Sequence, residues 1–496
     1  MLDSLIIFIN RHLVPLLAGL FLFRVAYLSL NGLDLVGDES YYWDWSRRPD
    51  WCYYSKPPMV AWLIGIASYL GGADAAVVRL PTVVLGSVFF GYLYATTRAL
   101  YSEQVAALTV LLVVAMPANV LANFIMTIDP PLYCFWMMAL YYLQRALLKN
   151  HLWSWLWAGV ATGLAVLSKQ TALLLPLLLA GFLLTDPLRR PSFRREFWLY
   201  LLPVALSLLP ILLWNAQHDW VMFGHSKGHF GVNETASLAK RLGDTASFWL
   251  YQLLLASPVL FVLTLIMTYR AAIRYKHLTT TQQFLLWMGP IPLIGILLLS
   301  LLQKVQGNWP IAFYFSAMML LAGEWFAGYW KKWLPIAVNV GLLMVTLTYA
   351  LPVSLPALNL QNTVIDPTYR FRHWQKLANA IEIERKKAIP HPNDMFVLTV
   401  GHRFLASQLA FYLPDHPTVY RFQADGRVIS QYEVWGWPDS LLGKTAFIVS
   451  EKDDTDLPET LKSAFLRFNK LGEIVNPMQK TKRYYVFMGE NLIKIP

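Results

Sequence analysis

Long apolar runs, each closed by a short polar connection, dominate the chain as far as Leu351. Runs of about 17 to 25 apolar residues match the hydrocarbon thickness of a bilayer when helical. The pattern predicts eleven spans: 13–31, 78–99, 104–123, 130–148, 152–168, 171–185, 197–215, 246–268, 282–302, 309–329 and 333–351. Met59 to Leu70 is equally apolar but too short to cross, so it reads as a helix lying on or dipping into the membrane. After Leu351 the periodicity changes. Residues 394–400, 417–421, 445–450 and 484–488 read as strands, and 403–413 as an amphipathic helix. The chain therefore divides into a polytopic α-helical membrane domain (1–351), with a first outer loop at 32–77, and a soluble α/β domain (352–496) large enough for its own core.

Composition agrees. Of 496 residues 14% are charged, against about 25% in soluble domains, and the mean hydropathy is +0.43. The formal charge of +11 has a membrane explanation, because lysine and arginine accumulate in cytoplasmic loops; no nucleic-acid partner is implied. Two cysteines, Cys52 and Cys134, make neither a disulfide framework nor a thiolate metal site. The first apolar run carries no cleavage signal and reads as a span rather than a signal peptide.

Positive charge sets the orientation. Arg98, Arg145, Lys149, Arg189, Arg190, Arg194, Arg195, Arg270, Arg274, Lys276, Lys331 and Lys332 all fall in alternate connections, which a cytoplasmic N-terminus would place inside. Eleven spans then put the α/β domain outside. On that same outer side fall Asp38, Glu39, Lys56, Asp129, Lys169, His218, His225, His229 and Lys304. One outward-facing cavity built from several loops accounts for them; the alternative is that loops are simply polar.

The first outer loop concentrates Gly37-Asp-Glu-Ser-Tyr-Tyr-Trp43 and Tyr53-Tyr-Ser-Lys-Pro-Pro58. Charges beside a bilayer core are costly and mark function. Asp38 suits a general base, and Glu39 suits positioning an acceptor or a divalent cation; either also suits capping of the helix that follows. Lys56, held by two prolines, can neutralise a lipid phosphate or snorkel to the headgroups. Tyr53, Tyr54 and Trp43 can stack on a sugar or belong to the interfacial belt. Asp129, before Pro130-Pro131, can orient an acceptor, pair with a lysine or cap its helix. Lys169 needs an anion, with Asp129 or a phosphate the natural choices. Arg24, inside the first span, needs Asp34, Asp38 or the lipid phosphate. Residues 217–244 carry His218, His225 and His229 among glycines that disfavour a metal-binding helix, so a loop closing over substrate is expected there. No nucleotide or dinucleotide motif occurs; a divalent metal is the one cofactor left open.

In order along the chain, these segments and Arg79-Leu-Pro81, Asp129-Pro-Pro131, Gly163-Leu-Ala-Val-Leu-Ser-Lys169, Trp214-Asn-Ala-Gln-His-Asp-Trp220, Asn308-Trp-Pro310 and Gln431-Tyr-Glu-Val-Trp435 resemble the bacterial members of the dolichyl-phosphate-mannose protein mannosyltransferase superfamily. Aminoarabinose transferases acting on lipid A are among them. The resemblance implies a GT-C fold, a polyprenyl-phosphate-sugar donor such as one on undecaprenyl phosphate, and inverting transfer. By position Asp38 matches the catalytic carboxylate and Glu39 the acid beside it. Lys56 and Lys169 match phosphate-side lysines, and Asp129 the second-loop acid. Ser55 stands where aminoarabinose transferases have glutamate, which argues against a metal site there and against that narrow assignment. The implied activity is transfer of a monosaccharide to an envelope glycolipid such as lipopolysaccharide or lipid A, at the periplasmic face of the inner membrane. Asp38 and Glu39 would be catalytic, Lys56, Lys169 and Arg24 would hold the donor phosphate, and Asp129, Tyr53, Tyr54, Trp43 and His218 would meet sugar or acceptor. The competing class is a transporter or lipid-linked-sugar flippase, which internal repeats and midplane charges would favour; no repeat is apparent.

Overall fold

The computed structural model describes the chain apart from residues 1, 195, 231–236, 362, 364–365, 389–394, 477–482 and 496, and apart from the side chains at 193, 194, 229, 230 and 238. Its N-terminal part is helical. Leu2–Arg11 (α1) and Leu13–Leu30 (α2) precede two outer-loop helices, Gly37–Ser46 (α3) and Met59–Gly71 (α4). Then come Ala75–Leu100 (α5), Glu103–Val114 (α6), Pro117–Ala122 (α7), Asp129–Leu148 (α8), Leu152–Ser168 (α9) and Leu174–Leu184 (α10). Arg190–Arg194 (α11), Phe197–Gln217 (α12), Val221–Phe230 (α13), Leu238–Ala256 (α14) and Pro258–Ile273 (α15) follow. Thr280–Met288 (α16), Pro290–Leu299 (α17), Ile311–Phe326 (α18) and Trp333–Ala357 (α19) complete the bundle.

Local chemistry sets these boundaries. Asp74 caps α5 by accepting from the Ala76 and Val77 amides, and Ser102 caps α6 through Val105. Prolines restart helices at 117, 258 and 290, where the first turn needs no N–H. They also cut expected spans short. Among the described residues five helices are long and apolar enough to cross alone: 13–30, 75–100, 197–217, 280–299 and 333–357. A sixth would join α14 to α15, which meet at 104°. The expected continuous span at 246–268 is thus broken at Ser257, whose φ of +70° turns the chain before Pro258. Met59–Gly71 is the short helix expected, and α19 continues past Leu351 to Ala357 despite Pro352 and Pro356. The helix α1 was not foreseen; its Leu2, Ile6 and Ile9 are buried in the main apolar core.

The C-terminal part is a five-stranded sheet. Strands Met395–Val400 (β1), Val419–Phe422 (β2), Thr445–Ser450 (β3), Phe465–Val475 (β4) and Arg483–Leu492 (β5) lie in the order β2-β1-β3-β5-β4. β1 runs parallel to β2 and β3, and β5 antiparallel to β3 and β4. The helices Trp374–Ala388 (α20), Arg403–Tyr412 (α21), Gln431–Trp435 (α22) and Glu459–Lys462 (α23) join them. Four of the five strands were legible; β4 and α20 were not.

The helix α3 joins the two parts. Eight of its ten residues are buried although its sequence is not apolar, so it is buried between bodies rather than on a membrane face. α21 lies against it: Ser40 and Ser407 hydroxyls are 2.9 Å apart, Gln408 donates to the Leu35 carbonyl, and the Leu35 amide donates to Tyr412. Gly37 sits under the Phe404 ring, where a Cβ would fall 2.2 Å from Cγ. Gly37→Ala should therefore lower the unfolding temperature, at a cost of about 1–3 kcal/mol for overpacking. Adding Phe404→Ala should restore much of it, read by thermal unfolding of both variants; equal loss in the single and double variants would disprove the close contact.

Candidate functional site

The site forms where α3, the segment carrying Lys56, the outer ends of α8 and α9, and the first turn of α21 come together. Adjacent acids on α3 have opposite fates. Glu39 is fully buried and saturated: Arg79 donates to it twice (2.9 and 2.8 Å), and the Met126 and Val36 amides donate at 3.0 Å each. Arg79 also donates to the carbonyls of Leu33 and Asp34 and lies over the Phe124 ring. Glu39 is thus a clamp between α3, α5 and the segment before α8. The expectation that it positions an acceptor or a cation is corrected, since no lone pair is left facing the cavity.

Asp38, one residue earlier, is partly exposed and accepts no hydrogen bond among the described residues. Burial raises its carboxyl above the ordinary carboxylate range, while Arg403 and then Lys56 pull it down and Glu39 adds to the rise. Lys56 is likewise half-buried. Burial, then repulsion from Lys169, brings its ammonium down to about 8, against the attraction of Asp38 and Asp129. A base pushed up and an ammonium pushed down thus lie within electrostatic reach of each other, the pattern expected of reacting groups. Tyr42 lies near both Asp38 and Asp129; burial and those two charges keep its phenol neutral.

Asp129 does not cap α8: it sits inside the first turn, accepting from Lys169 Nζ (2.7 Å) and Asn308 Nδ2 (2.5 Å). Lys169 is buried and held in this pair, adjacent to Lys56. A cavity of about 170 Å³ begins at Asp129 and Asn308 and continues between Leu121, Ile125, Tyr133 and Leu255. Polar head and apolar tail positions therefore adjoin.

Other expected site residues lie elsewhere. Arg24 pairs with neither Asp34 nor Asp38; it donates to Asn123 (2.8 Å) and Tyr349 (3.3 Å) within the bundle, over Phe90. Neutral partners serve it there. Tyr53 is fully buried, stacked on Trp45 at 4.5 Å with its hydroxyl among the Trp45 and Arg48 carbonyls, and has no face for a sugar. Trp43 packs edge-on to Phe411 and beside His416, joining α3 to the soluble domain. His218 stacks on Trp214 at 4.0 Å and bonds its carbonyl, while Trp214 donates to Asp50. All three are engaged by neighbouring side chains or carbonyls, His218 while still half-exposed. Tyr54 remains at the rim: its amide donates to Gln431 Oε1, its ring meets His225 at 4.8 Å, and Arg403 lies close enough to act on its phenol.

α13 runs from Val221 to Phe230 despite three glycines nearby, correcting the expectation of an irregular loop at His225. Residues 231–236 and the His229 side chain, part of the expected lid, lie outside the described residues. Among the described residues no group of three or more His, Cys, Asp or Glu is arranged to hold a metal ion. Lys304 belongs to a different cavity, with Lys240, Arg241 and Asp244. Two partners were missed. Asn308, within a quoted motif, was given no role, and Arg403 has no local signal in the sequence.

Residues 55–214 match a family model described as dolichyl-phosphate-mannose-protein mannosyltransferase. A lipid A galacturonosyltransferase of Rhizobium johnstonii, RgtD, is 24% identical over 450 residues, spanning 90% of this chain and 92% of the relative. Crystal structures of ArnT from Cupriavidus metallidurans share the fold at 18% identity. The apo form gives a TM-score of 0.61 over 96% of this chain and 98% of that one. The form bound to undecaprenyl phosphate gives 0.59 over 96% and 97%.

The clamp makes a prediction. Arg79→Met leaves Glu39 charged and buried without its partner, which costs about 3–5 kcal/mol. Unfolding of the purified variant should show that loss, and Glu39→Gln added to Arg79→Met should recover more than half. A wild-type melting profile for Arg79→Met would refute the clamp.

Proposed function

We propose that this chain, a polytopic membrane glycosyltransferase of the protein mannosyltransferase superfamily with the GT-C fold, moves a monosaccharide from a polyprenyl-phosphate carrier to lipid A or a related envelope glycolipid. The observation that carries the reading is the meeting of Asp38, Lys56 and the Lys169–Asp129 pair, brought from separate stretches close enough to act on one another, with an apolar cavity opening beside Asp129. A transporter has no need of an acid on a loop helix set close to an ammonium of perturbed proton affinity. Undecaprenyl phosphate is the expected carrier because an ArnT structure holds it, and lipid A the expected acceptor because RgtD acts on it. The basic connections favour a cytoplasmic N-terminus, with the α/β domain and the site on the periplasmic side of the inner membrane.

In this reading the carrier phosphate lies against Lys56, with Lys169 behind it, and the first isoprene units enter the cavity below Asp129. An acceptor oxygen attacks the anomeric carbon while the bond to the phosphate oxygen breaks. Asp38 takes the proton if the acceptor is a hydroxyl. If the acceptor is an ionised phosphate, Asp38 orients it and stabilises positive charge developing on the sugar. The carrier leaves with one more negative charge, which Lys56 offsets. Inversion follows from a single displacement.

Asp38→Asn should reduce transfer by about 10²–10⁴-fold, the usual worth of a general base, with the melting temperature and carrier binding retained. The assay follows label from a polyprenyl-phosphate sugar into lipid A; wild-type turnover by the variant would remove Asp38 from the chemistry. The pH dependence supplies a second check. Below about 8 Lys56 is charged, so carrier-phosphate affinity should fall as pH rises through that value. Lys56→Arg, which stays charged, should abolish the fall. On the acid side transfer should fail as Asp38 takes up its proton, above the ordinary carboxylate range. A phosphate affinity that ignores pH in the wild type would contradict the role of Lys56.

A further inference from the structure

Arg403 opens α21 in the soluble domain and stands at the seam with α3. Its guanidinium lies 5.5 Å from the Tyr41 ring and 4.9 Å from the Phe404 ring, and its Nε is buried with no hydrogen-bond partner. Arg79, Arg372, Arg385 and Arg421 each have a carboxylate partner. Among the described residues Arg403 has none. The platform beneath it is fixed: the Gln431 amide donates to the Tyr41 hydroxyl, and the Gln431 side chain accepts from the Tyr54 amide. A half-exposed arginine held on a rigid aromatic surface, its Nε buried and no carboxylate bonded to it, is a group able to take an oxyanion.

Its position says which part of the substrate it meets. Asp38 feels Arg403 more strongly than Lys56, whereas Lys56 feels Lys169 most and Arg403 least of the four charges around it. Tyr41, beneath Arg403, is about one helical turn from Asp38 on α3, so Arg403 lies on the Asp38 side of the group. Carrier phosphate at the lysine end leaves Arg403 beyond the acid, on the side of the transferred sugar and the incoming acceptor. Asp129 already neutralises Lys169, so with Lys56 on the carrier, Arg403 is the strongest cation left near Asp38, ahead of Arg370.

We propose that Arg403 binds a second oxyanion, a phosphate ester on the acceptor glycolipid or a carboxylate on the transferred sugar, and so makes the soluble domain a selector of anionic substrates. This rests on the transfer reading above. A planar guanidinium takes either group through two parallel hydrogen bonds, and the stacked ring contacts hold its plane.

The full-length purified chain tests it by binding without turnover. The probes are lipid A and its dephosphorylated form, and polyprenyl-phosphate hexuronate and its neutral hexose counterpart. Arg403→Gln should weaken one anionic probe by about 10–100-fold, the worth of a charge-assisted pair, and leave the matching neutral probe unaffected. Loss with lipid A assigns the phosphate; loss with the hexuronate assigns the carboxylate. Arg403→Lys, which keeps the charge without the fork, should recover part of the affinity, and it carries the same comparison should glutamine unfold the seam. If wild type and variant lose equal affinity when the oxyanion is removed, Arg403 only packs α21 on α3 and the inference is overturned. Intact discrimination by a wild type that transfers no sugar would sink the proposed function and leave this one standing.

Discussion

The buried Glu39–Arg79 pair is the constraint on which the rest depends. A loop helix rich in polar and aromatic residues has no apolar face by which to hold a membrane bundle. Its anchor is a carboxylate that receives four donors from three separate places. The same arginine ties the carbonyls of residues 33 and 34, so the chain entering α3 is fixed with the helix. Such a pair adds little net stability over an apolar alternative, because desolvation cancels much of the attraction. It does fix register and orientation. With Glu39 directed inward, its neighbour Asp38, about 100° further round the helix, is left toward the cavity.

That arrangement also determines the charge balance. Asp129 and Lys169 neutralise each other, and Asn308 holds the carboxylate from the other side. What remains is one acid under the influence chiefly of two cations, Arg403 from the soluble domain and Lys56 from the membrane domain. A partly desolvated, net cationic site attracts oxyanions more strongly than a single lysine in water would. The soluble domain is thus part of the site wall. Its helix α21 supplies hydroxyl, amide and aromatic contacts to α3, and Gln431 ties Tyr41 to Tyr54.

The sequence disclosed residue types and one pairing, Lys169 with Asp129, but not the others. Asp38, Lys56, Asp129 and Lys169 were legible because each is a charge at the end of an apolar run, where only function or a partner retains it. Asp38 was legible as the candidate base, but the burial of Glu39 was not, since it is set by Arg79, forty positions away. Trp43, Tyr53 and His218 misled because aromatics near a membrane surface suit a sugar face, a belt or a core equally well. The strand β1 was plain from its continuous apolar run. β4 was not, because its residues alternate irregularly around a register shift between Lys470 and Gly472 and much of it is solvent-facing. Arg403 was illegible in principle: nothing within one turn of it announces a site assembled from another domain.

Placing the chemistry at a seam between two bodies has a consequence that neither body could produce alone. In open solvent Asp38 would be an ordinary, weak base and Lys56 a fully charged ammonium with a firm grip on phosphate. Desolvation between α3 and α21 raises the proton affinity of the first and lowers that of the second. The acid gains strength as a base. In the proposed transfer, the lysine's charge would be less favoured before substrate arrives and reinforced as the carrier phosphate acquires its extra negative charge, so its attraction would grow along the reaction rather than being spent on the ground state. Tuning an acid and an ammonium toward each other is what the proposed displacement at an anomeric carbon would demand.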